Sequence, residues 1–370
     1  MAEKSSGSVF ENVQVLRAVA AYMVVCHHVL NNLAHYTAVG RFAEMPGIGA
    51  RGVEIFFVIS GFIMVSTTDA REQRPGRFLL HRIVRIVPIY WLLTFVAALA
   101  IASGLQLFNR GALSLDMLLT SLLFLPDLKG VGEATKPLVV VGWTLNYEMM
   151  FYAIFALCLF FARSLRIWLA CGAVLLLWLA QMAGIGGLLG YWGDDIVLSF
   201  VLGMAIARLT PGNPLPVWPA LAAIALGGAA LVVLEIVLVP SGFPRPGLVS
   251  ALAAGAIVLG AVSLDRRGAS IMAPWLKGQG NASYSIYLLH PFILQFVGKA
   301  WLVTHLNRSA VGLVVMVVVM FTLVCVLGTA FHRLVEVPLT AALRQRVDMR
   351  RRRTKTMADS SVSGQAFENG

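Results

Sequence analysis

Long apolar stretches separated by short polar breaks dominate the chain. Each stretch is continuous instead of alternating between apolar and polar positions, which favours helices over strands. A spanning helix needs about 20 mainly apolar residues, and only helices or closed barrels satisfy their backbone within lipid. The pattern predicts ten spanning helices, near residues 14–34, 52–67, 84–104, 144–162, 165–183, 190–208, 217–239, 247–264, 282–303 and 310–334.

Composition supports this class. Hydrophobic residues make up 58% of the 370 positions and charged residues 13%, against about 25% charged residues in a soluble domain. We therefore expect an all-α polytopic membrane protein. The run at 114–125 is too short to span, so it is expected to be re-entrant or interfacial. The predicted organisation is a cytoplasmic segment (1–13), a membrane domain (14–340) and a basic, disordered cytoplasmic tail (341–370).

The basic residues predict the orientation. With the N-terminus inside, 21 of the 29 Lys and Arg residues fall in cytoplasmic segments, as the positive-inside rule requires. Both termini are then cytoplasmic, and the net charge of +11 is an orientation signal for which no nucleic-acid partner is needed. The four cysteines lie within predicted spans and without paired spacing, so neither a disulfide framework nor a zinc site is indicated.

Ionisable residues inside a membrane are costly and are functional candidates. Arg17 and His28 are eleven positions apart, which places them on nearly the same helix face about 16 Å apart along the axis. We expect them to face one shared cavity, with His27 turned away from it. The structural alternatives are an interfacial, snorkelling Arg17 and a His28 bonded to a neighbouring carbonyl.

Two further segments carry charge. Arg82 and Arg85 lie at i and i+3 near the inner end of the third predicted span, where two guanidiniums on one face can clamp a phosphate; anchoring by the positive-inside rule is the alternative. Glu148 lies one turn inside the fourth span, at a depth comparable with His28. Trp143 and Tyr147 beside it are candidates for substrate contact or support, or members of an interfacial aromatic belt.

Three more polar residues have open roles. Glu54 starts the second span, where a helix dipole also favours a carboxylate. His290, next to Pro291, either supports the site or bonds across helices. Glu336, at the inner end of the last span, either pairs with an arginine or ends the helix.

Sorted by depth, these charges describe a path with two ends. Arginines at the cytoplasmic mouth suit a phosphate-bearing molecule, and a histidine supported by a carboxylate suits removal of a proton from an alcohol. The sequence has no Walker loop, dinucleotide glycine motif or metal-ligand cluster to indicate ATP hydrolysis, hydride transfer or metal chemistry.

Five segments, in this order and spacing, resemble the acyltransferase family 3 membrane proteins, particularly those that O-acetylate bacterial exopolysaccharides. The segments are VLRAVAAYMVVCHHV, GVEIFFVISGFIM, HRIVRIVPIYW, WTLNYEMMFY and YSIYLLHPF. The resemblance covers residues 12–340 and implies ten membrane helices in the bacterial inner membrane.

The resemblance also implies the chemistry. A cytoplasmic acyl-CoA, acetyl-CoA above all, is the expected donor, and a hydroxyl of a cell-surface carbohydrate is the acceptor; no metal is expected. Arg17, Arg82 and Arg85 would bind the donor, and His28, oriented by Glu148, would be the base. Glu54 stands where many relatives have Asp, which leaves its role open. Direct transfer is favoured over an acyl-enzyme, since no nucleophile is paired with His28.

A second class of function fits the same charges. In a secondary transporter or flippase for an anionic or glycan substrate, they would form a proton relay and a substrate clamp. Such proteins have inverted repeats and broken helices in matching halves, and the sequence shows no internal repeat. The sequence does not indicate the oligomeric state, the acyl group or the sugar.

The predicted orientation can be tested with reporter fusions. A fluorescent protein fused after Gly370 is expected to fold and fluoresce, and alkaline phosphatase at the same position is expected to be inactive, because the C-terminus lies in the cytoplasm. The converse pattern would reverse the assignment of every loop.

Overall fold

The chain folds into helices throughout the part that the structure describes. This computed structural model describes residues 10–36, 47–70, 74–105, 108, 112–128, 136–270, 273–304 and 309–347, and these ranges contain no strand. The all-α polytopic fold predicted from the sequence is confirmed. The helices are α1 (Glu11–Tyr36), α2 (Gly52–Ala70), α3 (Pro75–Ala102), α4 (Leu115–Leu122), α5 (Trp143–Cys158), α6 (Arg163–Met182), α7 (Gly187–Trp192), α8 (Leu198–Leu209), α9 (Val217–Val233), α10 (Pro246–Arg266), α11 (Pro274–Asn281), α12 (Ser283–Thr304) and α13 (Ala310–Phe331).

Nine helical segments in the described ranges are long and apolar enough to cross a membrane. The sixth predicted span, 190–208, is divided instead into α7, a 3-10 turn (Asp195–Val197) and α8. Asp195 lies against Gly247 at the start of α10, and Arg266 at its end donates to Thr210 Oγ1 at 2.9 Å. The segment from 195 to 210 therefore runs beside α10 as a short, broken element.

Two helices extend further than hydropathy predicts. α3 begins at Pro75 instead of near residue 84, which places Arg82 and Arg85 two to three turns inside the helix. After α13, a π turn (His332–Glu336) leads into a helix that reaches residue 347. The start of the predicted disordered tail is thus helical, and 348–370 lie outside the described residues, as do residues 1–9. The predicted short element at 114–125 is α4.

Burial separates central from peripheral helices. In the most apolar part of α2 and of α10, two thirds of the residues are buried inside the protein. In the corresponding part of α6, 11% are buried. Large apolar side chains on α6, α9 and α13 face outward, for example Leu176, Leu226 and Val311. These faces suit lipid, whose hydrocarbon tails are as apolar as the side chains, so α2 and α10 form the centre of the bundle.

α2 and α8 approach closely because both have glycine at the crossing. A Cβ on Gly61 would overlap the carbonyl oxygen of Phe200, and one on Gly203 would overlap that of Val58. Beside the crossing, Phe200 stacks on Phe57 and on Phe151, with ring centroids 4.5 and 4.2 Å apart. Small residues that admit a neighbouring backbone are the usual basis of helix packing in lipid, and here they bring α2, α5 and α8 together.

A buried ion-pair network joins the start of α2 to α9 and α10. Arg51 Nε donates to Glu235 at 2.5 Å and its Nη1 donates to Glu54 at 3.1 Å. Ser250 donates to Glu54 at 2.8 Å, and the Gly47 N–H donates to Glu235 at 3.0 Å. Glu235 lies in a π turn (Leu234–Leu238) that follows α9. The bonds link the start of α2 to residues of two other helical segments, so the network holds these helices together.

Arg51→Ala should destabilise the fold, because it leaves the Glu54 and Glu235 side chains, only 4% and 6% exposed, without their cation. Breaking a buried pair costs about 3–5 kcal/mol, so the apparent melting temperature in detergent should fall by at least roughly 5 °C. Arg163→Ala is the matched control, since its ion pair with Asp69 is exposed (64% and 38%) and is worth less than about 1 kcal/mol. Equal effects of the two changes would contradict this role.

Candidate active site

Three arginines line one cavity near the start of α1. Arg17 from α1 and Arg82 and Arg85 from α3 surround it together with Glu148 from α5. This arginine cavity has a free volume of about 100 Å³, which is small for a whole ligand. The structure thus brings together the three cations that the sequence singled out, and it adds Glu148 to them.

The arginines are held in place but not neutralised. Arg17 Nη2 donates to Ser283 Oγ at 3.0 Å, and Arg82 lies over the rings of Phe78 and Tyr152, 5.4 and 5.7 Å from their centroids. The buried Nε of Arg82 has no hydrogen-bond partner. An unpaired polar group of this kind is costly in a protein interior, so the site lacks one hydrogen-bond acceptor.

The cavity is electropositive. Within the described ranges, no carboxylate forms an ion pair with Arg17, Arg82 or Arg85. Glu148, the one acidic residue among the described residues of the lining, accepts hydrogen bonds from Tyr152 and, at 3.4 Å, from Ser60. Three guanidiniums against one carboxylate in a membrane protein suit an anionic ligand, and guanidiniums bind phosphate well.

A second cavity lies further along α1. His27, His28, Asn31, Asn32 and His35 contribute from α1. Across from them are Lys136, Pro291 and Gln295, and Phe108 from the connection between α3 and α4. This histidine cavity has a free volume of about 450 Å³, within the usual range for a ligand site. His27 lines it as well as His28, so helix periodicity was wrong to turn His27 away.

The two cavities are separated, which corrects the prediction of one shared cavity. Tyr287 and Thr144 line the arginine cavity, and Val141 lines the histidine cavity. The Tyr287 hydroxyl lies 3.0 Å from Thr144 Oγ1 and donates to the Val141 carbonyl at 3.1 Å. These three residues, called the partition below, stand between the cavities. Their polar groups are satisfied by one another.

The expected contact between Glu148 and His28 is also absent from the structure, since the two side chains line different cavities. Glu148 is one turn from the start of α5, and the partition lies between this level and His28. The ring next to His28 is that of His290, whose centroid is 5.1 Å away. The position of a residue along its predicted span gives its depth in the membrane only to within one or two helical turns. That is too coarse to identify its partner.

The remaining candidates lie outside both linings. Glu54 belongs to the Arg51 network and supports the fold. Trp143 packs edge-on against Tyr147 with centroids 5.9 Å apart, and the Tyr147 hydroxyl donates to the Tyr191 carbonyl at 2.8 Å. Neither aromatic residue lines the arginine cavity or the histidine cavity. Glu336 accepts from Ser285 at 2.5 Å and lies 2.8 Å from His332 Nδ1, so its partner is a histidine instead of an arginine.

Sequence reasoning missed Tyr287, Thr144 and the amides Asn31 and Asn32. Tyr287 is three positions before His290 and therefore on the same helix face, which was the available signal. The two asparagines follow His28 by one turn at the mouth of a spanning helix, where polar residues are ordinary. Nothing in the sequence distinguishes them from polar residues that end a spanning helix at the membrane surface.

Comparison with known proteins identifies the family. Residues 10–331 match the Acyl_transf_3 family model, described as an acyltransferase domain. The chain is 40% identical over 269 residues, 71% of its own length and 82% of the relative's, to the Exopolysaccharide production protein ExoZ of Rhizobium meliloti (strain 1021). No solved structure gives a significant match. The resemblance seen in the five segments is confirmed. The chain belongs to the acyltransferase 3 family and is a multi-pass membrane O-acyltransferase.

Proposed function

We propose that this protein transfers an acyl group, most simply acetyl, from acyl-CoA on the cytoplasmic side to a carbohydrate hydroxyl on the outer side of the bacterial inner membrane. The observation that carries the proposal is the arrangement along α1. One helix presents a cationic cavity at one level and a histidine-lined cavity at another, and a single partition separates them. That arrangement matches a donor site and an acceptor site of one reaction.

The charge of the arginine cavity supports its role as the acyl-CoA site. CoA carries a diphosphate and a ribose phosphate, and Arg17, Arg82 and Arg85 offer guanidiniums that no carboxylate of the described chain pairs. The buried, unpartnered Nε of Arg82 would gain an acceptor from a phosphate oxygen. The distribution of Lys and Arg along the chain puts this end of α1 towards the cytoplasm, where acyl-CoA is found.

The small volume of the arginine cavity limits what enters it. About 100 Å³ admits a narrow chain or a phosphate group, but not a nucleotide. The adenosine part of CoA would therefore remain at the mouth of the cavity, and the pantetheine arm would extend along α1. Arg17 and His28 are about 16 Å apart along the helix axis, a distance that such an arm can bridge.

The residues that line the histidine cavity support its role as the carbohydrate site. Asn31, Asn32 and Gln295 supply amides that can donate to and accept from sugar hydroxyls, and the cavity is four to five times larger than the arginine cavity. ExoZ is named as an exopolysaccharide production protein. An exopolysaccharide, or its repeating unit, is accordingly the proposed acceptor.

The reaction needs one base. His28 removes the proton from the acceptor hydroxyl as its oxygen attacks the thioester carbonyl, and the C–S bond breaks as the tetrahedral intermediate collapses. The departing CoA thiolate takes the proton from His28, so the products are the ester and CoA thiol. Placing both reactants in one site supplies much of the rate. No acyl-enzyme is required.

The partition must open during turnover, because it stands between the thioester and His28. A rotation of the Tyr287 side chain would release both Thr144 and Val141. Glu148 remains on the donor side in this scheme. Its contact with Tyr152 keeps that ring against Arg82, so it positions the phosphate-binding cation instead of the base.

Two single changes should separate the two halves of the site. His28→Ala should lower transfer by roughly 10²–10⁴-fold, since it removes the base, while CoA still binds. Arg85→Ala should weaken CoA binding by at least roughly 10-fold, since a hydrogen bond to a charged group is worth about 1.5–3 kcal/mol. The measurements are transfer of labelled acetyl from acetyl-CoA to an oligosaccharide, and CoA affinity, with purified protein in detergent.

Arg77→Ala is the control for Arg85→Ala, because Arg77 lies on the same helix but is exposed and outside the cavity lining. It should leave CoA affinity unchanged. Equal CoA affinity in the Arg85 and Arg77 variants would reduce Arg85 to an anchor of α3. Substrate uptake into vesicles with no covalent transfer would support a transporter instead.

A further inference from the structure

His290 is fully buried on α12, directly behind His28. It is 0% exposed, and it is absent from the lining of the histidine cavity, although its neighbours Pro291 and Leu294 are part of it. The imidazole centroids of His28 and His290 are 5.1 Å apart, with the ring planes inclined by 39°. His28 therefore stands between His290 and the cavity.

One nitrogen of His290 has an assigned role. Nδ1 lies 3.3 Å from the carbonyl oxygen of Ile286, one turn earlier on the same helix. A carbonyl can only accept, so Nδ1 must carry the proton. Pro291 follows directly and has no N–H for the carbonyl of Tyr287, so the backbone around the ring offers acceptors alone. In the neutral ring, Nε2 then has a free lone pair.

The other nitrogen has no partner. Nε2 of His290 is buried and makes no hydrogen bond in the described structure. An interhelical structural bond, one role considered from the sequence, is therefore not made, since the hydrogen bond of this side chain is to its own helix. A buried acceptor left unpaired costs free energy. The imidazole of His28 on α1 packs beside this ring, but neither of its nitrogens is within hydrogen-bond distance of Nε2.

We propose that a small rotation of the His28 side chain lets its imidazole donate a hydrogen bond to Nε2 of His290. This bond fixes the tautomer of His28, so that its other nitrogen presents its lone pair to the acceptor hydroxyl. This inference rests on the proposed function, in which His28 is the base. His290 is a positioning residue, since it contacts His28 and not the substrate. It fills the place that a carboxylate takes in other base-orienting pairs.

The lining of the histidine cavity supports this assignment. Among the residues that the structure describes, this lining contains no Asp or Glu, and Glu148 is on the far side of the partition. When His28 takes the acceptor proton, the lone pair of His290 stabilises the imidazolium. A neutral partner does this without placing a permanent negative charge inside the membrane, where an unpaired carboxylate would be costly.

A pair of substitutions tests the proposal. His290→Gln keeps an acceptor near the position of Nε2 and loses the donor at Nδ1, whereas His290→Asn keeps a donor near Nδ1 and has nothing at Nε2. If His290 positions His28, the Gln variant should retain kcat within roughly 10-fold. The Asn variant should lose more than that, though less than the roughly 10²–10⁴-fold cost of losing the base. KM for both substrates should be unchanged in each.

A structural role predicts the opposite order, because only Asn keeps the bond to the Ile286 carbonyl. An Asn variant as active as the unsubstituted protein, or more active than the Gln variant, would overturn the proposal. Both variants are compared at equal thermal stability in detergent, measured by unfolding temperature.

A second measurement does not depend on transfer or on either variant. Nitrogen NMR of the full chain with ¹⁵N-histidine, with the His28 signals assigned by their loss in His28→Ala, should show a single neutral tautomer of His28. An equal mixture of its two tautomers would refute the hydrogen bond to His290 even if transfer is observed. Conversely, a single His28 tautomer in a protein that transfers no acyl group would support the hydrogen bond to His290 and refute the proposed function.

Discussion

The cost of charge inside a membrane organises this protein. An ionised side chain in the bilayer must find a counter-charge, a cavity or a ligand. Arg51, Glu54 and Glu235 satisfy one another and tie α2 to α9 and α10. Arg17, Arg82 and Arg85 instead surround a cavity. The distinction between paired and unpaired charge thus separates the residues that hold the bundle from those that we assign to binding.

α1 connects the two halves of the proposed reaction. It supplies Arg17 to the arginine cavity and His28 to the histidine cavity, and its position is fixed at both levels. Asp265 accepts from the N–H groups of Asn12 and Val13 at 2.8 and 3.2 Å, which holds the start of the helix. Gly49, in the 3-10 turn Gly47–Arg51 that precedes α2, and Gly52 of α2 lie against its backbone further along. A rigid α1 keeps donor and acceptor sites at a constant separation.

The sequence predicts those features of this protein that depend on residues close together in the chain. Continuous apolar runs identify nearly all long helices, and the i, i+3 spacing of Arg82 and Arg85 places both at one cavity. Prediction from the sequence fails where the answer depends on packing between distant segments. Hydropathy predicts one span over 190–208, where the structure has α7, a 3-10 turn and α8. The start of α3 at Pro75 was missed because its first turns are charged, although a buried arginine can lie well inside a helix.

The assignment of partners shows the same limit. Hydropathy predicts similar depths for Glu148 and His28 along their own helices, and depth alone suggested that they meet. Tyr287, from a helix more than 130 positions later in the chain, lies between their levels and closes the route. Only the three-dimensional arrangement shows that His290 is adjacent to His28.

The partition also has an electrical consequence. A wet, charged passage open to both faces would let protons leak and discharge the gradients that a bacterial membrane maintains. The partition closes the route between the two cavities with residues whose polar groups bond one another. If the side chain of Tyr287 moves only when the pantetheine arm fills the space, the bound acyl donor itself blocks the passage. The acetyl group can then cross the bilayer while ions do not.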